Sequence, residues 1–499
     1  MMSTIIRVSE KDNVAIAVQD LPKGTVVMNG EQAITLLDDI PMGNKVALQE
    51  IKQDQDVYRF GNPIGHATRD IGQGELVHVH NLFTNLKDII EYKYNPDFSE
   101  VMSPGDDVPT FMGYRRKDGQ VGIRNEVWIL PTAHCANGPA MQIAALANQS
   151  IPRSENFDGF FALTHPVGCS QIGLDLDYTQ RILANLVVHP NCAAVLILAN
   201  GCEKNCMENF IPLLGDYDQA RVRALTGQEV EDEIAVGLEY VKELHDYALS
   251  FKRKEIPLSD LVVAINCGGS DTFSGITANA LVGRITDQLT AWGGTVVMTE
   301  VPEMFGAEHL LMNRAQNEAV FDKIVAMINN YKNYFKRYGQ EIYENPAPGN
   351  IAGGISTLEE KSLGCTQKGG QAIVTDVLEY GERIKTNGFN LISGPGNDIV
   401  GITNQEASGA ALTIFTTGRG TPAGYIVPLV RLASNSKIAE LKKGWIDYDA
   451  GQLLSGKSFD EATRELMDII IKIANGEYKP RAEANGYRQI GMLRDGVTL

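Results

Sequence analysis

Cysteines stand beside small residues at several predicted turns of this 499-residue chain. This setting can leave a sulfur reachable instead of packed, and it is shared by Cys135, Cys169, Cys202, Cys267 and Cys365. Cys202 and Cys206 are four residues apart and would share one face of a helix that starts there. Reachable sulfurs can bind iron, so these turns favour a metal site; the alternative is that most of these cysteines are small buried residues near turns.

Two histidines stand two residues apart in the segment His78-Val79-His80-Asn81. On a β-strand they would share a face, so both imidazoles could grip one divalent cation or one carboxylate. Two protein ligands leave positions open for substrate, as in a catalytic metal site; a solvated strand face is the alternative. His134 and His165 lie in predicted turns after strands, where a general base would be useful, although structural histidines fit the same pattern.

Two arginines in glycine-rich segments could hold an anion. Arg124 closely follows a glycine, and Arg419 stands between two glycines. Arginine grips a carboxylate with two hydrogen bonds, and neighbouring glycines let backbone amides approach the same anion. We therefore favour a functional role for Arg124 and Arg419, whereas Arg115 and Arg116 are interpreted as part of a surface hairpin.

Residues 451–458 match the phosphate-loop pattern G-x-x-x-x-G-K-[ST] letter for letter. A working phosphate loop follows a buried strand, but residues 445–450 are too polar for one. Ser458 and Glu461 instead form a capping box for a following helix. We interpret the match as chance, and nucleotide binding has little support.

The secondary-structure elements that must position these residues follow two different sequence patterns. Residues 1–90 alternate short apolar segments with turns, which predicts a small all-β module, and the polar residues 91–112 predict a linker. From residue 113 onward the pattern is strand, polar turn and helix, which predicts an α/β catalytic region. We divide this region into two α/β subdomains, residues 113–258 and 259–499.

The predicted strands end in polar turns. Residues 261–265 are apolar and β-branched and predict a buried strand, and the Cys-Gly-Gly-Ser-Asp of residues 267–271 predicts a tight turn after it. Similar apolar runs precede polar turns at residues 127–130, 160–163, 194–199, 296–298, 390–392 and 413–415. Because ligands bind at the carboxyl ends of parallel strands, we expect the sites at these strand ends.

Composition argues against several classes of protein. The formal net charge of −18 and the pI of about 5.0 argue against a nucleic-acid partner, and an anionic substrate would need local basic groups. The first residues lack a signal-peptide core, and no apolar run approaches a membrane span. We therefore expect a cytoplasmic protein with no membrane partner, in which cysteines serve as ligands, catalytic groups or core residues.

Long motifs extend along the whole chain, at residues 113–116, 121–132, 168–171, 200–203, 267–271, 299–308, 361–368 and 416–422. In these motifs the chain resembles the altronate/galactarate dehydratase family, with which the sulfolactate sulfo-lyases belong. The first ninety residues resemble a SAF (β-clip) domain that ends in the segment 78–81. The motifs are specific for the superfamily and less decisive for the substrate, although the chain as a whole looks closest to the altronate branch.

The resemblance implies a hydro-lyase of hexuronate catabolism that converts a small sugar acid, D-altronate, to 2-dehydro-3-deoxy-D-gluconate and water. Removing the C2 proton creates a dianion that needs positive charge, and loss of the 3-hydroxyl needs a Lewis acid or a proton donor. Arginine, Lys368 and a metal could meet these needs, and Asp271 is a candidate ligand or base, or a turn-forming residue only. The alternatives are galactarate dehydratase, sulfolactate sulfo-lyase and non-catalytic sugar-acid binding. We also expect a homo-oligomer.

The resemblance further implies iron, as Fe²⁺ with Mn²⁺ as a substitute, and two arrangements stay open. In one, Cys169, Cys202 and Cys365 anchor an iron–sulfur cluster, with Cys206 in reserve. In the other, a single Fe²⁺ lies among histidine and oxygen ligands, for which His78 and His80 are the candidates. We prefer the single ion, because the cluster needs three strand ends from distant parts of the chain to converge.

Overall fold

The computed structural model describes residues 4–105 and 107–498. The N-terminal region is built from short strands: β1 (Ile5–Ile6), β2 (Val14–Ala17), β3 (Val26–Asn29), β4 (Gln32–Thr35), β5 (Lys45–Ala47), β6 (Asp56–Arg59), β7 (Asn62–Ala67), β8 (Leu76–Val77) and β9 (Leu82–Phe83). They pair into small antiparallel sheets with the orders β1-β2-β5-β8, β3-β4 and β6-β7-β9. The small all-β module predicted from the sequence is confirmed.

A parallel sheet flanked by helices follows. Its region contains the strands β10 (Thr110–Arg115), β11 (Val121–Gly122), β12 (Glu126–Pro131), β13 (Gly159–Ala162), β14 (Cys192–Ala199), β15 (Val222–Thr226) and β16 (Lys254–Pro257). Its helices are α1 (Asn137–Ser150), α2 (Leu174–Val187), α3 (Met207–Phe210) and α4 (Glu233–Ala248). The parallel sheet has the order β13-β12-β14-β15, and β11-β10-β16 form a separate antiparallel sheet. All of β14 is buried, as expected for a strand covered on both faces.

A second, larger parallel sheet occupies the C-terminal region. Its strands are β17 (Val262–Cys267), β18 (Thr295–Met298), β19 (Val374–Leu378), β20 (Gly388–Ile392), β21 (Leu412–Thr417), β22 (Leu429–Ala433) and β23 (Tyr448–Asp449). They are ordered β19-β20-β18-β17-β21-β22-β23, and every neighbouring pair is parallel. The chain thus completes β18, β19 and β20 on one side of β17 before β21 starts the other side, and β20 lies between β18 and β19.

The C-terminal region also contains most of the helices: α5 (Ala278–Ala291), α6 (Glu308–Met312), α7 (Glu318–Arg337), α8 (Pro348–Ala352), α9 (Leu358–Thr366), α10 (Asp398–Ala407), α11 (Ser436–Leu441), α12 (Phe459–Asn475) and α13 (Arg481–Ala484). Short 3₁₀ turns connect elements at His134–Ala136, Ile211–Leu214, Gln219–Arg221, Gly227–Glu229, Leu258–Asp260, Val301–Met304, Gln367–Gly369 and Ala450–Ser455. Within the described ranges, no helix combines the length and apolar character needed to cross a membrane.

A buried ion-pair group fixes the N-terminal β region against the C-terminal region. Glu360 of α9 lies 2.9 Å from Lys45 Nζ and 2.5 Å from Arg59 Nη1, and all three side chains are buried. Arg59 Nη2 also donates to the carbonyl oxygen of Thr272 at 2.7 Å, directly after the turn that ends β17. Because a buried charge is costly without a partner, these contacts hold the β region beside that turn.

The segment His78–Asn81 differs from its prediction as a strand. Strand β8 ends at Val77, and the next residues form a turn in which the His78 N–H donates to Asn81 Oδ1 at 2.9 Å. Asn81 Nδ2 in turn donates to the carbonyl oxygen of Leu76 at 2.8 Å. The expectation that His78 and His80 share a strand face is therefore wrong, because the asparagine side chain closes a turn there.

Residues 451–458, which match the phosphate-loop pattern, form the approach to a helix in the structure. The 3₁₀ turn Ala450–Ser455 precedes α12, and Ser458 Oγ accepts a hydrogen bond from the Glu461 N–H at 3.2 Å. Lys457, the residue that would bind phosphate in a working loop, pairs with Glu465. The interpretation of Ser458 as a helix cap is confirmed.

Candidate active site

A cavity of about 570 Å³ opens at the carboxyl edge of the larger sheet. The carboxyl ends of β17 and β21 lie side by side there, at the point where the strand order changes direction. Parallel α/β sheets commonly bind ligands in this crevice. The ionisable side chains that line the cavity are Cys267, Glu303, Glu344, Lys361, Asp398 and Arg419.

A buried lysine lies between two thiols and a carboxylate next to this cavity. Lys368 Nζ is 2.9 Å from Cys267 Sγ, 3.0 Å from Cys365 Sγ and 2.9 Å from Glu300 Oε2. The two sulfurs are 3.9 Å apart, and both cysteines are free thiols. Cys365 and Lys368 come from the end of α9 and the 3₁₀ turn after it, so one short piece of chain carries both.

The charges of this group are coupled. Burial alone would lower the pKa of Lys368, but Cys267, Cys365 and Glu300 beside it raise that pKa well above its usual range. The hydrogen bond with Cys365, aided by the Lys368 ammonium, holds the pKa of the Cys267 thiol well below its usual range in spite of burial. Burial and the charge on Cys267 raise the pKa of Glu300 well above its usual range. The group therefore keeps Cys267 as a thiolate beside an ammonium ion.

Four side chains of this group could also hold a metal ion: Cys267, Glu300, Glu303 and Cys365, whose ligand atoms lie within 4.8 Å of one another. Thiolate and carboxylate donors accept several divalent metals. The Lys368 ammonium is within 3.0 Å of three of the four side chains, so a bound metal would have to displace that ammonium. The two thiols and two carboxyl groups form a donor set that fits a metal.

The two glutamates after β18 differ in their surroundings. Glu300 has a φ of 70°, a left-handed conformation that non-glycine residues rarely adopt, and its Oε1 accepts a hydrogen bond from the Cys267 N–H at 3.2 Å. Glu303 Oε1 lies 2.9 Å from Lys361 Nζ. Burial raises the pKa of Glu303 although Lys361 opposes that shift. Unusual backbone geometry at a buried carboxylate is typical of functional sites.

Asp398 faces the cavity from the first turn of α10. Among the described residues, its carboxyl group has no hydrogen-bond or ion-pair partner. Burial, followed by the charges of Glu303 and Cys267, raises the pKa of Asp398 to about 7. A Cβ atom at position 268 would lie 2.3 Å from Asp398 Oδ2, so Gly268 leaves room for this carboxyl. A free carboxyl with this pKa suits general acid–base catalysis at neutral pH.

Two cations reach the same cavity in a chain whose net charge is −18. Lys361 Nζ is 2.9 Å from Asn345 Oδ1 as well as paired with Glu303. Arg419 is exposed, and within the part of the chain that the structure describes its guanidinium makes no hydrogen bond or ion pair. Both cations could meet an anionic ligand, and Arg419 could do so with two parallel hydrogen bonds.

A second group of potential metal ligands lies at the smaller parallel sheet. His134, Cys135 and Cys169 follow β12 and β13, and their ligand atoms lie within 4.8 Å of one another. Cys202 follows β14 and is exposed. Cys365, in contrast, lies in the buried group of the larger sheet. The structure therefore does not bring Cys169, Cys202 and Cys365 together as the predicted cluster requires.

Two predicted site residues are engaged in structural contacts. Arg124 Nε and Nη2 each donate to the carboxylate of Glu483 at 2.8 Å, and Arg124 is buried. Asp271 Oδ1 accepts from Ser434 Oγ at 2.7 Å, and Asp271 Oδ2 accepts from Asn435 Nδ2 at 2.9 Å. Arg124 therefore has its carboxylate partner within the chain, and Asp271 ties the turn after β17 to the turn after β22.

The predicted histidines are dispersed. His165 is buried, its Nε2 lies 2.7 Å from the Pro131 carbonyl oxygen, and burial lowers its pKa to about 4. His78 is half-buried, and its Nδ1 lies 2.7 Å from Ser356 Oγ. His80 is exposed, and neither His78 nor His80 belongs to the two ligand groups found among the described residues. Only His134 lies among potential metal ligands.

Four residues of the site, Glu300, Glu303, Lys361 and Asp398, are not among those predicted from the sequence, and Cys267 has no specific predicted role. Each glutamate and Asp398 follows a predicted strand, so position at a strand end was an available signal. Lys361 lies on α9, a helix in which every residue is buried, where a lysine needs a partner. The sequence does not show which of these strand ends lie together in the fold.

Family models match along the chain. The Altronate/galactarate dehydratase SAF domain matches residues 3–85, the second domain of D-galactarate dehydratase/altronate hydrolase matches residues 113–249, and the C-terminal D-galactarate/altronate dehydratase domain matches residues 258–498. These matches include the parallel sheets that carry both ligand groups. The regions thus correspond to a SAF domain followed by α/β architecture.

Similarity to characterised proteins extends over the full length. The chain is 47% identical over 494 residues to altronate dehydratase of Escherichia coli K12, covering 99% of each chain. It is 46% identical over 499 residues to altronate dehydratase of Bacillus subtilis 168, covering 100% of each. It is 33% identical over 492 residues to galactarate dehydratase (L-threo-forming) of E. coli K12, covering 95% of this chain and 93% of that protein. The chain belongs to the D-galactarate/altronate dehydratase family.

Proposed function

We propose that this chain is a hydro-lyase that dehydrates D-altronate to 2-dehydro-3-deoxy-D-gluconate. The observation that carries the proposal is the unpartnered carboxyl of Asp398, which shares one cavity with the cations Lys361 and Arg419. A sugar acid presents a carboxylate to bind and a C2 proton to remove, and these groups match both requirements. Identities of 46–47% to altronate dehydratases over the full chain support altronate as the substrate.

The substrate carboxylate binds to the two cations. Arg419 has a free guanidinium at the cavity rim, and Lys361 lies within the lining. Positive charge at the carboxylate oxygens stabilises the dianion that forms when the C2 proton leaves. Binding at this position therefore both orients the sugar acid and lowers the barrier to proton removal.

Asp398 moves the proton. Its carboxylate takes the C2 proton, and the resulting carboxylic acid gives a proton to the leaving 3-hydroxyl. The C2–H and C3–O bonds break, a C2=C3 bond forms, and water departs, so Asp398 returns to its starting state. The enol then loses its O–H proton at C2 and takes up a proton at C3, which gives the 2-keto acid, and no redox cofactor is consumed. A carboxyl with a pKa of about 7 can serve in both directions at neutral pH.

We also propose a metal for the buried group. Cys267, Glu300, Glu303 and Cys365 would hold Fe²⁺, with Mn²⁺ as a substitute, and the bound metal would supply a Lewis acid beside the cavity. Chelator should then remove activity and bound metal together, and Fe²⁺ should restore both. A Cys365→Ser variant should purify with less metal than the wild type. Full activity in metal-free protein would contradict this part of the proposal.

Substrate choice is tested with a panel. Product formation should be measured with altronate, galactarate and sulfolactate, using detection of the 2-keto-3-deoxy acid for the sugar acids and of released sulfite for sulfolactate. We expect the highest kcat/KM with altronate. If dehydration of galactarate or release of sulfite is the dominant reaction, the same site serves a galactarate dehydratase or a sulfolactate sulfo-lyase instead. Binding without turnover of any substrate would favour a sugar-acid binding protein.

Several sequence predictions stay predictions within this proposal. The division into two α/β subdomains at 258/259, with sites at the carboxyl ends of their strands, is supported by the separate sheets β13-β12-β14-β15 and β19-β20-β18-β17-β21-β22-β23. A homo-oligomeric state, a cytoplasmic location and functional roles for His78, His80, His134 and His165 also stay predictions.

A further inference from the structure

Three loops at the carboxyl edge of the smaller sheet carry cysteines that the proposed reaction does not use. Cys135 follows β12, Cys169 follows β13 and Cys202 follows β14. These strands are neighbours, because β12 lies between β13 and β14 in the sheet. The ends of three strands that are distant in sequence thus meet at one edge of the smaller sheet.

Hydrogen bonds join the three loops. Thr132, after β12, donates through its Oγ1 to Glu203 Oε1 at 2.6 Å, and Asn205 Nδ2 donates to the Thr132 carbonyl oxygen at 2.9 Å. The Lys204 N–H donates to the Cys169 carbonyl oxygen at 2.9 Å. The cysteine positions are therefore set by backbone and buried polar contacts and do not depend on the thiols themselves.

The spacing of the ligand atoms suits a single ion. His134 Nε2 lies 3.7 Å from Cys135 Sγ, and ligand atoms of His134, Cys135 and Cys169 all lie within 4.8 Å of one another. Metal–sulfur bonds of about 2.3 Å and metal–nitrogen bonds of about 2.0 Å place two ligands of one ion at most about 4.6 Å apart. A small adjustment of the side chains is enough to close the site.

Cys202 follows β14, the sheet neighbour of β12, and is the candidate fourth ligand. Its Sγ accepts a hydrogen bond from Asn200 Nδ2 at 3.1 Å and is exposed. Three thiolates and one imidazole form a ligand set that commonly binds zinc and other thiophilic divalent ions.

We propose that His134, Cys135, Cys169 and Cys202 bind one thiophilic divalent metal ion that cross-links the loops after β12, β13 and β14. This site differs in sheet, burial and donor set from the buried group around Lys368. The inference stands independently of the proposed dehydratase activity, since it rests only on the loops of the smaller sheet.

The test is an anaerobic titration of the full chain with Co²⁺ after removal of metals by chelator. Co²⁺ bound to thiolates in tetrahedral geometry gives thiolate-to-metal charge-transfer absorption and intense visible bands. We expect Cys135→Ser and Cys169→Ser to lose this signal from the exposed site and Cys202→Ser to weaken it. Because these side chains are exposed or half-buried, the variants should keep the wild-type fold, which circular dichroism checks.

Two controls separate this site from other cysteines. Cys206→Ser, in the same loop as Cys202 but outside the ligand group, should leave the spectrum unchanged. Cys365→Ser disables the buried group and should leave the exposed-site signal in place; if that variant does not fold, the comparison of wild type with Cys169→Ser still decides. A wild-type spectrum in Cys135→Ser and Cys169→Ser would overturn the proposal. Stoichiometric acid-labile sulfide that disappears in Cys169→Ser would overturn the single ion in favour of a cluster.

Discussion

The ammonium group of Lys368 lies 2.9 Å from the sulfur of Cys267, and both groups are buried. After the hydrogen bond with Cys365, that ammonium helps to hold the pKa of Cys267 below its usual range, so removing it should raise the pKa of Cys267. We predict that, in metal-free protein, alkylation of Cys267 depends more steeply on pH in Lys368→Met than in the wild type. Rates should be measured by iodoacetamide labelling and peptide mass spectrometry.

Labelling of Cys202 in the same samples is the internal control for this experiment. Cys202 is exposed and lies at the other sheet, so its rate should be the same in the wild type and in Lys368→Met. Identical pH profiles of Cys267 in the two proteins would show that Lys368 does not hold the thiolate. Substrate turnover of Lys368→Met should also fall, because Cys267 lines the cavity.

The raised pKa of Asp398 predicts how the activity depends on pH. A general base must be ionised, and burial and its acidic neighbours raise the pKa of Asp398 to about 7. The kcat/KM value should therefore rise with pH through about 7 and level off above it. Asp398→Asn should lower kcat on the order of 10²- to 10⁴-fold and remove this acid limb.

Asp376→Asn is the matched control for Asp398, because Asp376 also lies in the C-terminal region but pairs with Lys323 on an exposed face. Its kcat and pH profile should match the wild type. An Asp398→Asn variant that keeps wild-type kcat and the same acid limb would assign the base to another residue.

Strand positions could be predicted from the sequence, and the meeting of their ends could not. The apolar runs at residues 127–130, 194–199 and 261–265 predict β12, β14 and β17, because a strand buried on both faces leaves a continuous apolar signal. The order of strands within a sheet is set by contacts between distant segments, which leave no local pattern. The prediction therefore grouped Cys365 with Cys169, although these residues belong to different sheets.

The other differences between the predicted and the observed site arise because some predicted residues have partners elsewhere in the chain. Arg124 and Arg419 have the same glycine-rich surroundings in sequence, but Glu483, far along the chain, satisfies Arg124 and leaves Arg419 free. Similarly, Ser434 and Asn435 satisfy Asp271, whereas Asp398 has no such partner among the described residues. Residue type and position in a turn predict which side chains could bind a ligand or carry a proton. Only the folded structure shows which of them already have a partner within the chain.

His78 and His80 retain predicted roles that can be tested directly. If either contacts metal or substrate, replacement by Ala should lower turnover on the order of 10²-fold with little loss of folding stability. His66→Ala is the control, because His66 is half-buried in the same β region and hydrogen-bonds to Asn85 at 2.8 Å. Wild-type turnover in both His78→Ala and His80→Ala would leave these histidines with structural roles only.

Substitution of the two arginines favoured from the sequence should affect different properties, substrate binding for Arg419 and folding stability for Arg124. Arg419→Ala removes a free cation from the cavity rim, so we expect KM for the sugar acid to rise on the order of 10- to 100-fold, since hydrogen bonds to charged groups contribute about 1.5–3 kcal/mol. Arg124→Met leaves the largely buried carboxylate of Glu483 unpaired, so we expect a loss of about 3–5 kcal/mol in the free energy of unfolding. Steady-state kinetics and urea unfolding of both variants, with Arg419→Lys as a partial rescue of KM, measure these effects. Unchanged KM in Arg419→Ala, or raised KM with unchanged stability in Arg124→Met, would reverse the assignment of the substrate-binding arginine.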